Sequence, residues 1–201
     1  MSFKLLSKGS SFMKLQVAGS TGKKYDVKVN GVTKSNVDNG AVLTFNNLKP
    51  NVNYKVYVYV IPQEYGRVLV QNNSRKDALS LAEVRVFDFD NNLVSRDILN
   101  LSKIAQTDTA HGGVAVRAID GKTSGHWPNG SVTHTNSGST KYWYIEFRKP
   151  VTIKQVKIYN RTDCCAERLE GAQLILQDPS KRTIHKKTLS KSTIQTINFN
   201  P

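Results

Sequence analysis

Cysteine is nearly absent. The chain has two among 201 residues, and the two are adjacent, Cys164-Cys165. Neighbouring cysteines cannot tie distant elements together, so a disulfide framework is excluded as the source of stability. If oxidised they close a small ring across one peptide bond, whose Cα atoms are nearer than ordinary bridges prefer. Two thiols with no His or Cys at ligand spacing also make a poor zinc site. No apolar run reaches the roughly eighteen residues of a membrane-spanning helix, and the first residues, Met1-Ser2-Phe3-Lys4-Leu5-Leu6, lack a signal-peptide core and cleavage site. No long segment has helical period. There is no phosphate loop, no Ser–His–Asp arrangement with a supporting motif and no paired-carboxylate glycosidase signature, which argues against an enzyme. Acidic residues are also scarce, 15 against 29 Lys and Arg, for a net charge of +14.

What is present is period-two alternation between turn residues. Met13-Lys14-Leu15-Gln16-Val17, Tyr25-Asp26-Val27-Lys28-Val29 and Tyr54-Lys55-Val56-Tyr57-Val58-Tyr59-Val60 all read as half-buried strands, so the chain is all-β. A polar run, 71–77, divides two strand-rich parts. Residues 1–77 are expected to form a small β-sandwich. Leu48-Lys49-Pro50-Asn51-Val52-Asn53-Tyr54 there weakly resembles the corner before a late strand of fibronectin type III domains. This part has no histidine and no acidic cluster, and its expected role is attachment or presentation, for instance to a protein lattice. It carries twelve basic and four acidic residues, while 78–201 carries seventeen and eleven. The densest basic cluster, Lys181-Arg182 with His185-Lys186-Lys187 and Lys191, reads as a solvated hairpin face. No zinc-finger spacing or RNA-binding aromatic signature accompanies it, which argues against nucleic acid.

The most informative stretch is Arg161-Thr162-Asp163-Cys164-Cys165-Ala166-Glu167-Arg168, entered from the strand-like Val156–Asn160 and closed by Leu169-Glu170-Gly171. Two guanidinium forks flank a sulfur plate. Vicinal hydroxyls and a ring oxygen of a sugar match the paired donors of Arg, and the less polar sugar face needs something flat and apolar. Asp163 can orient the arginines. The same eight residues also fit an ordinary surface loop holding an Arg–Asp pair and a dithiol.

The spacing is specific. His134 is followed by 26 residues, Arg161-Thr162-Asp163, four residues, and Arg168. This resembles the motif of F-type lectins, fucose-binding β-jelly-rolls related to discoidin domains. Ala118-Ile119-Asp120-Gly121, Ser131-Val132-Thr133-His134 and Tyr142-Trp143-Tyr144-Ile145-Glu146-Phe147 resemble further family segments, so that the likeness covers most of 79–175. The resemblance implies an eight-stranded jelly-roll sandwich over 78–201 and a site for a fucosylated glycan. In that site His134, Arg161 and Arg168 bond the sugar, Asp163 orients the arginines, and Cys164–Cys165, as a vicinal disulfide, meets the sugar's carbon face. Trp127 and His111 are candidates to pack on the methyl of a 6-deoxy sugar. The resemblance further implies a structural Ca²⁺ held by Asp120, Ser131 and Glu83, with carbonyls of Arg117 and Lys122, a donor set of hard oxygens.

Two departures stand out. Val132 and Ala82 occupy positions where many family members place a bridged cysteine pair, and both are changed together. Leu81–Phe87 resembles a strand that usually ends the domain but here begins it. That position points to a circular permutation, or to an N-terminal strand filling the last strand's slot. The reading is a noncatalytic lectin acting in recognition or attachment, extracellular or on a virion or particle surface, with oligomerisation left open. The alternative is a minor capsid or particle protein that uses the lectin-like fold for protein contacts.

Overall fold

The structure is a computed structural model that describes residues 2–20, 23–74 and 76–200. Arg75, inside the polar run 71–77, and Met1 and Pro201 lie outside the described residues. The chain divides into two compact units, one up to Gln63 and one over Glu64–Asn200.

In the first unit six strands are described: β1 (Ser2–Lys8), β2 (Met13–Ala18), β3 (Lys24–Val29), β4 (Val32–Asp38), β5 (Val42–Phe45) and β6 (Val56–Ile61). They form two three-stranded antiparallel sheets, ordered β1-β2-β5 and β4-β3-β6. The alternation seen in the sequence is what builds them. Met13, Leu15 and Val17 of β2 and Tyr25, Val27 and Val29 of β3 turn inward and share one core with Val37, Phe45 and Leu48. The β3–β4 hairpin turns on Asn30-Gly31, both at positive φ (49° and 77°). A two-residue turn with that backbone matches the strand twist, and Asn-Gly adopts it at least cost.

The second unit has eight strands among the described residues: β7 (Glu64–Asn72), β8 (Glu83–Phe87), β9 (Leu101–Gln106), β10 (Lys141–Thr152), β11 (Gln155–Tyr159), β12 (Gln173–Gln177), β13 (Thr183–Thr188) and β14 (Ile194–Asn198). A five-stranded sheet runs β13-β12-β7-β10-β9 and a three-stranded sheet runs β14-β11-β8. Between them lies one core that includes Val68, Val70, Leu81, Val84, Val86, Trp143, Ile145, Val156, Ile158, Leu174 and Leu176. Trp143 is fully buried, and its indole N–H donates to the Ala115 carbonyl at 2.8 Å, as a buried indole requires. Short 3-10 turns interrupt the loops, and no α-helix occurs among the described residues. No helix is long and apolar enough to cross a membrane.

The units part between Gln63 and Glu64, earlier than the polar run 71–77 where the sequence reading set the boundary. The reason is β7, which sits between β12 and β10 at the centre of the second unit's larger sheet. Val68, Leu69 and Val70 are buried there, and the polar residues that follow mark the end of that strand, not the end of a domain. The eight strands of the sandwich therefore include 64–72, which lies outside 78–201. Glu83–Phe87, within the expected strand Leu81–Phe87, pairs antiparallel with β11 in the second unit. The basic hairpin is β12–β13, where Arg182 pairs with Asp178 at 3.0 Å and Lys181 approaches Glu146 at 3.5 Å.

Candidate functional site

His134 lies on an irregular loop between two threonines, and these fix it. The Thr133 and Thr135 hydroxyls accept the amides of Leu81 and Leu79 at 3.0 and 2.8 Å. In return the amides of Thr133 and Thr135 donate to the carbonyls of Leu81 and Leu79. The segment before β8 thus runs along the His134 loop and holds it from one side. From the other side, the Ala110 amide and the Gln106 side chain donate to the His134 carbonyl. Asp108 accepts the Asn136 amide at 2.6 Å and pairs with Lys141 at 3.1 Å. Gly113 permits this close packing, because a Cβ there would collide with the His134 backbone. Ala82 and Val132, where a bridge is missing relative to the family pattern, are both fully buried in these two adjacent segments.

The second half of the site is the loop after β11. Arg161 donates to Asp163 through both Nε (3.0 Å) and Nη2 (2.9 Å), a bidentate clamp. The Asp163 carboxyl also accepts the Trp127 amide at 3.0 Å. These hydrogen bonds, led by that from Arg161, hold its carboxyl well below the usual carboxylate range. The clamp uses two donors of Arg161 and leaves Nη1 for another acceptor. Cys164 and Cys165 are joined as a disulfide, with Cα atoms 3.8 Å apart. Cys165 sits at φ 63°, in the left-handed region that a non-glycine residue rarely occupies. Cys164 is exposed and Cys165 half-exposed, so the sulfur pair is a surface feature and not a core staple. Gly125 lets the two loops meet, since a Cβ would strike the Asn160 carbonyl.

The halves meet at Arg168 and His134. Arg168 Nη1 lies 3.2 Å from His134 Nε2, and His134 Nδ1 lies 2.7 Å from the Thr135 carbonyl. A carbonyl only accepts and a guanidinium only donates, so the proton is on Nδ1 and the Nε2 lone pair faces Arg168. His134 is 9% exposed. Burial pushes its pKa down, the Thr135 carbonyl opposes this, and the positive Arg168 adds to it. His134 is therefore neutral at pH 7. Both expected aromatics are adjacent to it: the His111 ring is 5.2 Å and the Trp127 ring 5.5 Å away, each edge-on. Trp127 is also flanked by the guanidinium groups of Arg161 (5.1 Å) and Arg117 (5.6 Å). A cleft of about 250 Å³ opens beside His134 and Arg168, lined further by Lys76, His111, Asn136 and Ser137. Lys76, Gln106, Asp108 and Thr135 carry no motif signal, whereas Thr133 lies in the family-like segment Ser131–His134.

The residues expected to hold calcium are partly gathered. Glu83 is fully buried. Its Oε2 accepts the Gly121 amide at 3.1 Å, and its Oε1 has no hydrogen bond. Desolvation pushes its pKa up to about 7, against the lowering effect of the Gly121 amide and Arg85. Asp120 is near enough to raise it further, and its own Oδ1 accepts the Lys122 amide at 2.8 Å. Ser131 is buried and its hydroxyl donates to the Ser124 carbonyl. The Arg117 side chain donates to the Val132 carbonyl. Two arginines that the sequence reading did not single out stand nearby: Arg85 Nε is 3.5 Å from Glu83, and Arg96 Nη2 is 3.4 Å from the Asp120 carbonyl. Among the described residues no three His, Cys, Asp or Glu cluster as metal ligands. A cation here would rest on two carboxylates completed by hydroxyl and carbonyl oxygens. Among the described residues, Glu83 Oε1, buried, without a hydrogen bond and faced only by Arg85 Nε at 3.5 Å, fits such an ion.

The second unit is a five-plus-three β-sandwich that gathers His134, Arg161 and Arg168 on its loops beside a disulfide. Residues 117–201 match the F5/F8 type C family described as NedA-like, galactose-binding domain. Fucolectin-1 of Anguilla japonica is 29% identical over 103 residues, 49% of this chain and 58% of the relative. Fucolectin-6 of Anguilla japonica is 40% identical over 62 residues, 31% of this chain and 33% of the relative. The pentraxin fusion protein of Xenopus laevis is 31% identical over 67 residues, 33% of this chain and 16% of the relative. The chain thus spans 58% or less of the length of these curated relatives. No solved structure matches it. Residues 117–201 are thus similar to that galactose-binding domain, and about half of the chain is homologous to the eel fucolectins.

Proposed function

We propose that the second unit is a noncatalytic lectin site for terminal α-L-fucose or a sugar of the same hydroxyl arrangement. The observation that carries this is the Arg168–His134 contact beside the Arg161–Asp163 clamp. His134 on one loop and Arg161, Asp163 and Arg168 on another come together, and the two arginines present unspent guanidinium donors next to an exposed disulfide and two aromatic rings. The fucolectin relatives support the choice of fucose. The surface disulfide suits an oxidising setting outside the cell or on a particle. A glycan array probed with the full chain is expected to select fucosylated glycans. Indifference to every fucosylated glycan at millimolar free sugar would refute the reading.

Calcium belongs to the same proposal. Glu83 and Asp120 would hold the ion with Ser131 and the carbonyls of Arg117 and Lys122. It would add to the single positive charge, Arg85 at 3.5 Å, that faces buried Glu83, and would brace the loop that leads to His134. Chelator is expected to lower the melting temperature of the second unit and to weaken sugar binding. An unchanged melting curve would remove the ion while leaving the sugar site standing.

The pH dependence follows from His134. Its folded pKa lies below the unfolded value of 6.5, so its contribution to stability is complete above 6.5 and is lost as pH falls through the folded value. Protonation would put an N–H against the Arg168 guanidinium, near Arg161 and His111 as well. Fucose affinity is expected to be flat from neutral pH upward and to weaken on acidification. Calorimetric titrations in a pH series check this, and affinity that rises toward acid would contradict it.

The disulfide is expected to serve recognition more than stability, because it closes almost no loop. Cys164→Ser with Cys165→Ser should weaken sugar binding several-fold while shifting the melting temperature little. A variant that unfolds, or one that binds as well as wild type, would assign the pair a structural role or none.

A further inference from the structure

Each sheet of the first unit has two edges, and three of these four edges are protected against pairing. β1 carries Lys4 and Lys8, and its register shifts between Leu5 and Ser7. β4 carries Lys34, a left-handed Asn36 and a register shift against β3. β5 is only four residues long. Charge, bulges and shortness are the usual means by which an edge avoids adding a foreign strand. β6 has none of them. It reads Val56-Tyr57-Val58-Tyr59-Val60-Ile61, without charge, Gly or Pro, and its ladder with β3 is unbroken from Lys24↔Ile61 to Val29↔Val56. Its other side has no strand among the described residues. Tyr57 and Tyr59 are 45% and 53% exposed with their rings stacked at 6.3 Å, and Val56, Val58 and Val60 are only half-buried at the rim of the core.

We propose that β6 pairs antiparallel with β6 of a second copy of this chain, about a two-fold axis at Val58. The occupant follows from the strand's self-complementarity. In that register Tyr57 stands opposite Tyr59 of the second copy, Val56 opposite Val60, and Val58 opposite Val58. Every position from 56 to 60 meets a residue of its own kind on the correct face, and aromatic and β-branched cross-strand pairs are the favourable ones. Charge agrees. Through the β3 register, Lys28 lies beside Tyr57 and Asp26 beside Tyr59. Each row across the joined sheets would then run Lys28, Tyr57, then Tyr59 and Asp26 of the second copy, ending in opposite charges. That matters on a unit so rich in lysine, because no like charges are brought face to face. The contact is isologous and closes as a dimer, and does not propagate. It would give one particle two sugar sites, with the gain in avidity that bivalency brings.

Sedimentation of the full chain tests this without reference to sugar binding. Wild type is expected to run as a dimer at micromolar concentration. Tyr57→Lys with Tyr59→Lys sets Lys opposite Lys twice on an exposed face, and is expected to weaken dimerisation about tenfold or more. Tyr57→Lys with Tyr59→Glu sets Lys opposite Glu twice and is expected to restore the dimer. Val32→Lys, on the β4 edge, should change nothing. A monomeric wild type would overturn the proposal. So would a Lys/Lys variant that dimerises like wild type, or a folded Lys/Glu variant that stays monomeric, since the last two outcomes deny the surface and the register respectively.

Discussion

Arg168→Ala is expected to remove fucose binding and leave the fold intact. The side chain and the backbone of Arg168 do separate work. Its carbonyl accepts the buried Asn72 side chain at 2.9 Å, and its amide donates to the Cys165 carbonyl at 3.2 Å, so the loop keeps its position without the guanidinium. The guanidinium contacts His134 and has further donors to spare. A charged hydrogen bond is worth roughly 1.5–3 kcal/mol, and the substitution also releases the imidazole. A loss of about a hundredfold or more is the expected result. Arg168→Lys should fall nearly as far, because a point charge cannot hold His134 and a hydroxyl in one plane. Calorimetry with free fucose measures the loss, and the melting curve checks the fold. An alanine variant within about threefold of wild-type affinity would mean that the Arg168–His134 contact is a structural pair only.

Trp143→Ala is expected to cause the largest loss of stability. Trp143 is fully buried near the start of β10, opposite Val70 on one side and Gln106 on the other. Removing such a side chain costs about 3–5 kcal/mol, and the orphaned Ala115 carbonyl adds about 1–3 kcal/mol. Against the roughly 5–15 kcal/mol of a typical domain, the second unit loses most of its margin. Sugar binding should disappear with its thermal transition. The first unit's core contains none of these residues, so its own transition should stay in place. Trp143→Phe, which keeps most of the volume, should cost much less. If alanine shifted the second transition by only a few degrees, the core would not be centred on this residue.

Much of the sandwich was legible because strands buried on one face write themselves in period two. Met13–Val17 and Tyr25–Val29 did so, and they form the first unit's core. β7 was hidden for the opposite reason. It is central and buried on both faces near Val68–Val70, so it has no clean alternation. The polar residues after it then looked like a linker. The site was legible where spacing carried it: His134, Arg161, Asp163 and Arg168 do come together, with Trp127 and His111 beside them. The clamp that holds His134 was not legible, since Thr133 and Thr135 bond to backbone 52 to 56 residues away and backbone partners leave no trace in sequence. Arg85 and Arg96 escaped notice likewise, because their relation to Glu83 and Asp120 exists only once β8 lies beside the 117–121 turn.

The rungs between 79–81 and 133–135 have a consequence for observation. Half of this short ladder is made by threonine hydroxyls and half by peptide carbonyls. The amides of Leu79 and Leu81 are therefore hydrogen-bonded to side chains that flank His134 itself. A change that tightens or loosens His134 is expected to act on those two threonines, and through them on the two amide protons they accept. Leu79 and Leu81 are built-in spectroscopic reporters. Their exchange rates and chemical shifts are expected to report the state of the His134 loop from inside the hydrophobic core.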